Sequence, residues 1–88
     1  MNNIDEVLQA AKKVVSVMQE EDLIDPNKEL KRTIERYKKF ISSIENGAPK
    51  RSLIFGLSRR YIEAGLDYRN PILDTMYDIQ EYMYKEIS

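Results

Sequence analysis

The sequence contains no cysteine and no histidine. Without cysteine there is no disulfide framework, no thiolate metal site and no cysteine nucleophile. Without histidine the chain lacks the residue that serves most often as a general base and as a metal ligand. Ser42, Ser43, Ser52 and Ser58 have no nearby base, and the three glycines match no phosphate-binding loop. The composition therefore predicts no enzymatic activity, no metal and no cofactor.

Long apolar runs and a strong excess of one charge are also missing. No run approaches the roughly 18 residues that span a bilayer, and the opening residues 1–6 lack the basic and apolar regions of a secretion signal. The 14 basic and 15 acidic side chains give a net charge of −1, whereas a dedicated nucleic-acid binder usually carries a large positive excess. The missing signal and apolar run lead us to expect a cytoplasmic chain. We expect a single domain, because 88 residues are too few for a second core.

Glycine and proline are few, and they divide the chain into four segments of helical length. Asp25-Pro26 and Asn70-Pro71 are typical of helix starts, because Asp or Asn caps the first turn and proline suits its first position. Gly47 and Gly65 are typical of helix ends, and Pro49 begins another helix. An acidic run after residue 19 opposes the helix dipole and favours an end to the first helix. The sequence thus predicts helices near residues 4–20, 26–45, 49–64 and 71–87.

Each segment carries one apolar stripe at helical spacing. The stripes consist of Ile4, Val7, Leu8, Ala11, Val14, Val15 and Met18; of Leu30, Ile34, Tyr37, Ile41 and Ile44; of Leu53, Leu57, Tyr61 and Ala64; and of Ile72, Met76, Ile79, Met83 and Ile87. No stretch shows the sustained alternation expected of a strand. Four amphipathic helices with short connections bury their stripes most simply as an antiparallel, up-down-up-down bundle. We therefore predict an all-α four-helix bundle, present as a monomer.

Charge is distributed unevenly along the chain. Residues 1–24 and 67–88 each hold two basic and five acidic side chains, whereas residues 25–47 hold six and four, and residues 48–66 hold four and one. One interpretation is attraction between neighbouring helices. The other is a basic surface on the middle helices for a partner or for anionic lipid. The basic dipeptides of the third segment do not gather on one helical face, as a nucleic-acid recognition helix would require.

The third predicted helix carries apolar residues beyond its core stripe. At 100° per residue, Phe55 and Ile62 fall on a second flank, with Arg59 beside them. In one interpretation this helix lies between two neighbours and buries both flanks. In the other, the flank is an exposed apolar and cationic patch, which is the usual composition of a protein interaction site.

Several turn and packing features together resemble a known family. They are Asn27-Lys28-Glu29-Leu30 through Tyr37-Lys38-Lys39, Ile44-Glu45-Asn46-Gly47, Leu53 with Leu57-Ser58-Arg59, and Asn70-Pro71-Ile72-Leu73 with Met76-Tyr77. In these features the chain resembles the immunity proteins of pediocin-like (class IIa) bacteriocins, the enterocin A immunity family. The resemblance covers most of the chain and is strongest from residue 27 onward.

The resemblance implies both a fold and a function. Members are cytoplasmic antiparallel four-helix bundles that protect a producing cell from its own pore-forming peptide. They act at the mannose phosphotransferase permease with its bound bacteriocin, which is compatible with peripheral association at the inner face of the membrane. Because the C-terminal half generally sets the bacteriocin specificity, we expect the contact surface to include Phe55, Arg59, Ile62, Tyr68 and Arg69. The alternative is a small helical adaptor or regulatory protein that binds a soluble protein partner.

Overall fold

The computed structural model describes residues 1–63 and 71–86, and every regular element in these two ranges is helical. In chain order the elements are α1 (Ile4–Ile24), α2 (Lys28–Glu45), a 3₁₀ helix (Arg51–Ile54), α3 (Leu57–Glu63) and α4 (Ile72–Glu86). The predicted all-α fold is confirmed, since no strand occurs in either range.

The first helix is longer than the sequence predicts. Its start is capped by Asn3, whose Oδ1 accepts a hydrogen bond from the Glu6 N–H at 2.9 Å. The predicted end near residue 20 is wrong, because α1 continues to Ile24. Partners on other helices offset the unfavourable acidic charge at this end: Asp22 pairs with Lys31 of α2 at 2.7 Å, and Glu21 accepts a hydrogen bond from α3.

The second helix begins two residues later than predicted. Asn27, rather than Asp25, is its N-cap, and Asn27 Oδ1 accepts hydrogen bonds from the N–H groups of Glu29 and Leu30 at 2.8 and 3.1 Å. Pro26 therefore precedes the cap instead of occupying the first helical position. At the other end the helix stops at Glu45, and Gly47 turns the chain with a positive φ of 78°.

The predicted continuous helix over residues 49–64 is wrong. The structure divides this segment into the 3₁₀ helix and α3, separated by a turn at Phe55 and Gly56. Gly56 has a φ of 71°, a left-handed conformation that other residues rarely adopt. Arg36 of α2 stabilises the break, because its Nε and a terminal guanidinium nitrogen donate to the carbonyls of Leu53 and Ser52 at 3.1 and 3.2 Å.

The fourth helix begins directly after Pro71, close to the predicted start. The Thr75 N–H donates to the Pro71 carbonyl at 3.4 Å, and the helix extends to Glu86. The predicted cap Asn70 and the predicted helix end at Gly65 lie outside the described residues.

The helices surround one core to which every element contributes. Around the bundle, α1 packs against α2 and α4, α2 packs against the 3₁₀ helix and α3, and α4 closes the ring against both of these. The buried apolar side chains are Val7, Ala11, Val14, Val15, Met18, Leu30, Ile34, Tyr37, Phe40, Ile44, Ile54, Leu57, Tyr61, Ile72, Leu73, Met76, Ile79 and Met83. This packing confirms the predicted antiparallel four-helix bundle. Within the described ranges, no helix has the length and apolar character needed to cross a membrane.

Candidate protein interaction surface

Phe55 is a large apolar side chain that the core does not cover. It lies in the turn between the 3₁₀ helix and α3, and 70% of its surface is exposed. Its ring meets that of Tyr84 on α4 edge-on, with the centroids 6.3 Å apart. The Arg51 guanidinium lies 4.9 Å from the centroid of Tyr84. Phe55, Tyr84 and Arg51 thus form an aromatic cluster on the second half of the bundle.

Arg59 and Ile62 lie on the outer side of α3. The Arg59 side chain is 84% exposed and pairs with Glu63 at 2.9 Å, one helical turn further on. Ile62 is 38% exposed. The same helix buries Leu57 and Tyr61 on its opposite side. One face of α3 therefore packs into the core, and the other carries a cation and an apolar side chain to the surface.

Of the two interpretations of the third segment, the exposed apolar and cationic patch is correct, although its residues do not lie on one continuous helix. Burial of both flanks between neighbouring helices is wrong, since Phe55 and Ile62 are exposed. The expectation that Phe55, Arg59 and Ile62 share one flank of a continuous helix is also wrong for Phe55, because Gly56 separates it from α3. The structure brings Arg59 and Ile62 together on α3 and places Phe55 in the preceding turn. The other two predicted contact residues, Tyr68 and Arg69, lie outside the described residues.

A basic groove runs between α2 and the segment formed by the 3₁₀ helix and α3. It has a volume of about 530 Å³, and its lining residues are Lys31, Arg32, Glu35, Arg36, Lys39, Ser52, Phe55, Leu57 and Arg60. Phe55 therefore belongs to the aromatic cluster and also lines this groove. The site prediction missed the groove, although its signal is in the sequence: four of its cations recur at helical spacing along the exposed side of α2.

The two interpretations of the uneven charge each describe part of this surface. Attraction between an acidic outer helix and a basic inner one is seen where Lys31 of α2 pairs with Asp22 of α1 at 2.7 Å. The contact of 3.6 Å between Lys12 of α1 and Glu45 of α2 has the opposite sense, because its cation lies on the acidic helix. The hydrogen bond from Lys31 holds the pKa of the Asp22 carboxyl below its ordinary value. The basic surface is seen in the groove, where five cations and one carboxylate line the walls.

The described polar side chains are engaged in structural contacts or exposed at the surface. In the part of the chain that the structure describes, no group of three or more carboxylates is placed to hold a metal ion. The buried hydroxyls have structural roles: Ser58 Oγ bonds to Gln80 of α4 at 3.1 Å, and Tyr61 donates to Glu21 of α1 at 2.7 Å. The groups that remain open to a partner are exposed cations and apolar side chains.

Comparison of the chain with known protein families, with curated proteins and with solved structures found no match.

Proposed function

We propose that this chain is a bacteriocin immunity protein of the pediocin-like class. It acts from the cytoplasm on the mannose phosphotransferase permease with its bound bacteriocin, and it prevents the peptide from completing a pore. Two features support the proposal. The four-helix bundle is the fold that the resemblance implies, and the second half of the chain carries an exposed aromatic and cationic surface.

The exposure of Phe55 is the observation that carries the proposal. An exposed phenyl ring leaves unused the roughly 1.5–3 kcal/mol that burying such a side chain provides, although the adjacent core buries the ring of Tyr61 in the same segment. Arg51 and Tyr84 hold a cation and a second aromatic ring beside it. Aromatic residues and arginine dominate the binding energy of protein interfaces. We therefore expect Phe55 to enter a pocket of the partner protein.

The proposal is tested by expressing the protein in a cell that is sensitive to pediocin-like peptides. Cells that carry the permease should survive peptide concentrations that kill the parent strain. Phe55→Ala should weaken this protection, and Leu23→Ala, which truncates an exposed apolar side chain at the end of α1, should leave it intact. Absence of protection against every pediocin-like peptide in permease-bearing hosts would contradict the proposal.

The second candidate is an adaptor that binds a soluble protein partner. The basic groove favours it, because four of the groove cations lie on α2, outside the C-terminal half to which the family resemblance assigns specificity. An adaptor would give no protection in the survival assay. It would also bind its partner in a cell from which the permease has been deleted, whereas the immunity function requires the permease.

A further inference from the structure

We infer that the basic groove binds an acidic peptide segment that also carries an apolar side chain. The inference goes beyond bacteriocin immunity, because it concerns the chemistry of one surface and not the identity of the partner. It rests on the charge balance of the groove and on the position of Phe55 in its wall.

Some cations of the groove are in ion pairs with carboxylates, and others are not. Lys31 pairs with Asp22, and Arg32 pairs with Glu29 at 3.0 Å. Lys39 and Arg60 have no ion pair with any carboxylate in residues 1–63 or 71–86. These two cations stand on opposite walls, Lys39 on α2 and Arg60 on α3.

Arg36 adds a third charge that no described carboxylate neutralises. Its guanidinium is fixed by hydrogen bonds to two backbone carbonyls, which orient it without cancelling its charge. The only carboxylate in the lining is Glu35, and it is drawn towards Lys38 at 3.7 Å, outside the groove. The interior of the groove is therefore positive, and an anionic group entering it meets cations from both sides.

The lining favours a peptide over other anions. Phe55, with 70% of its surface exposed, stands in the same wall as some of the cations, so a complementary ligand presents an apolar group close to its negative charges. A protein segment with Asp or Glu beside a large apolar residue has this composition. A long polyanion such as RNA is opposed at a distance by the overall charge of −1 and by the acidic outer segments. A flat lipid surface matches a concave groove poorly.

The test is a binding titration with the purified protein and a fluorescent peptide in which Asp and Glu flank one Leu. The matched control peptide replaces every Asp and Glu with Asn and Gln. The acidic peptide should bind and the neutral one should not, and binding should weaken as salt is raised, because exposed charges are screened. Arg60→Glu and Lys39→Glu should each weaken binding by about tenfold, as expected for reversing a charge at an interface.

Two further variants separate a specific groove from general electrostatic attraction. Lys13→Glu changes the net charge by the same amount as Arg60→Glu. Lys13 lines a different pocket, between α1 and α4, so this variant should bind the acidic peptide nearly as well as the unchanged protein does. Glu35→Gln removes the carboxylate of the lining and should tighten binding by about threefold, which is the size of an exposed charge interaction. A folding defect cannot produce this gain.

The inference fails if the acidic peptide does not bind, or if Lys13→Glu and Arg60→Glu weaken binding equally. It also fails if vesicles of phosphatidylglycerol or a single-stranded oligonucleotide lose binding with Arg60→Glu while the peptide does not, since the groove would then serve lipid or nucleic acid. All of these readouts are independent of the survival assay, so failure here and failure of the immunity proposal are distinguishable.

Discussion

Arg59 contributes little to folding, and we propose that it contacts the partner protein. Its only described ion pair is with Glu63, and both side chains are well exposed, so the pair is worth less than about 1 kcal/mol. We predict that Arg59→Glu abolishes protection against the bacteriocin while the helical circular dichroism signal stays the same. A reversed charge opposes docking far more than it disturbs an exposed helix face.

The control for this change is Arg59→Lys, which keeps the positive charge and should keep most of the protection. If Arg59→Glu folds and still protects fully, the outer face of α3 is not the contact surface.

Tyr37 should make the protein sensitive to alkaline pH. Only 1% of its surface is exposed, and burial raises its pKa far above the ordinary value for tyrosine. The folded chain thus keeps the phenol proton at a pH where the unfolded chain releases it. The stability associated with neutral Tyr37 is complete below about pH 10 and should fall above it by up to about 1.4 kcal/mol per pH unit.

Urea unfolding at a series of alkaline pH values measures this loss. Tyr37→Phe should flatten the decline, whereas Tyr77→Phe, which removes an exposed hydroxyl, should leave it in place. An equal decline in wild type and Tyr37→Phe would show that another group is responsible.

At the scale of the elements, Gly56 separates the 3₁₀ helix from α3. Its φ of 71° is unfavourable for other residues, yet a Cβ at this position would meet no atom within 4 Å. The cost of a side chain here is therefore conformational rather than steric. We predict that Gly56→Ala lowers the free energy of unfolding by about 1–2 kcal/mol, as measured by urea denaturation.

The informative comparison is Gly56→Asn. Asparagine enters the left-handed region more readily than alanine, so it should recover part of the loss although its side chain is larger. If both variants cost the same, the left-handed backbone is not the cause. If Gly56→Ala is neutral, the turn can rearrange into the continuous helix that the sequence predicts.

The elements show which structural features the sequence could predict. The number of α-helices and most of their buried positions follow from local spacing and are predicted correctly. Phe40, at the margin of the α2 stripe, is fully buried, whereas Leu8 and Ile41 of the predicted stripes are only partly buried.

The break at Gly56 was not predicted, because it depends on Arg36, which supplies hydrogen bonds to the 3₁₀ helix from another helix. The extension of α1 was missed for the same reason, since Lys31 and Tyr61 stabilise its acidic end from elsewhere in the bundle.

The candidate site was predictable only in part. Apolar residues beside a cation marked Phe55, Arg59 and Ile62, but spacing alone could not decide whether they are buried, since that depends on where the neighbouring helices lie. The basic groove could be recognised only from the tertiary structure, because Arg60 joins the cations of α2 only when α3 packs beside that helix.

For the molecule as a whole, one small core supplies most of the stability. Met76 lies in this core with 1% of its surface exposed. Met76→Ala should cost about 2–5 kcal/mol through lost burial and the cavity that remains, out of a total of about 5–15 kcal/mol for a domain of ordinary stability. We expect a large drop in the thermal midpoint, followed by circular dichroism.

Ile62→Ala is the matched control, because it truncates an apolar side chain that is 38% exposed. Its midpoint should change little. Comparable losses for the two variants would contradict the division between core and surface described above.

The position of Phe55 depends on α2, because Arg36 of that helix is hydrogen-bonded to the 3₁₀ helix that directly precedes Phe55. The carbonyls of Ser52 and Leu53 accept hydrogen bonds from Arg36 of α2. These bonds add to the segment's own backbone hydrogen bonds, from Leu53 to Lys50 at 3.2 Å and from Phe55 to Ser52 at 3.4 Å. Lysine at position 36 would keep the charge but could not hold both carbonyls in the geometry of a planar fork. Selection on Arg36 would then act on the shape of its side chain rather than on its charge.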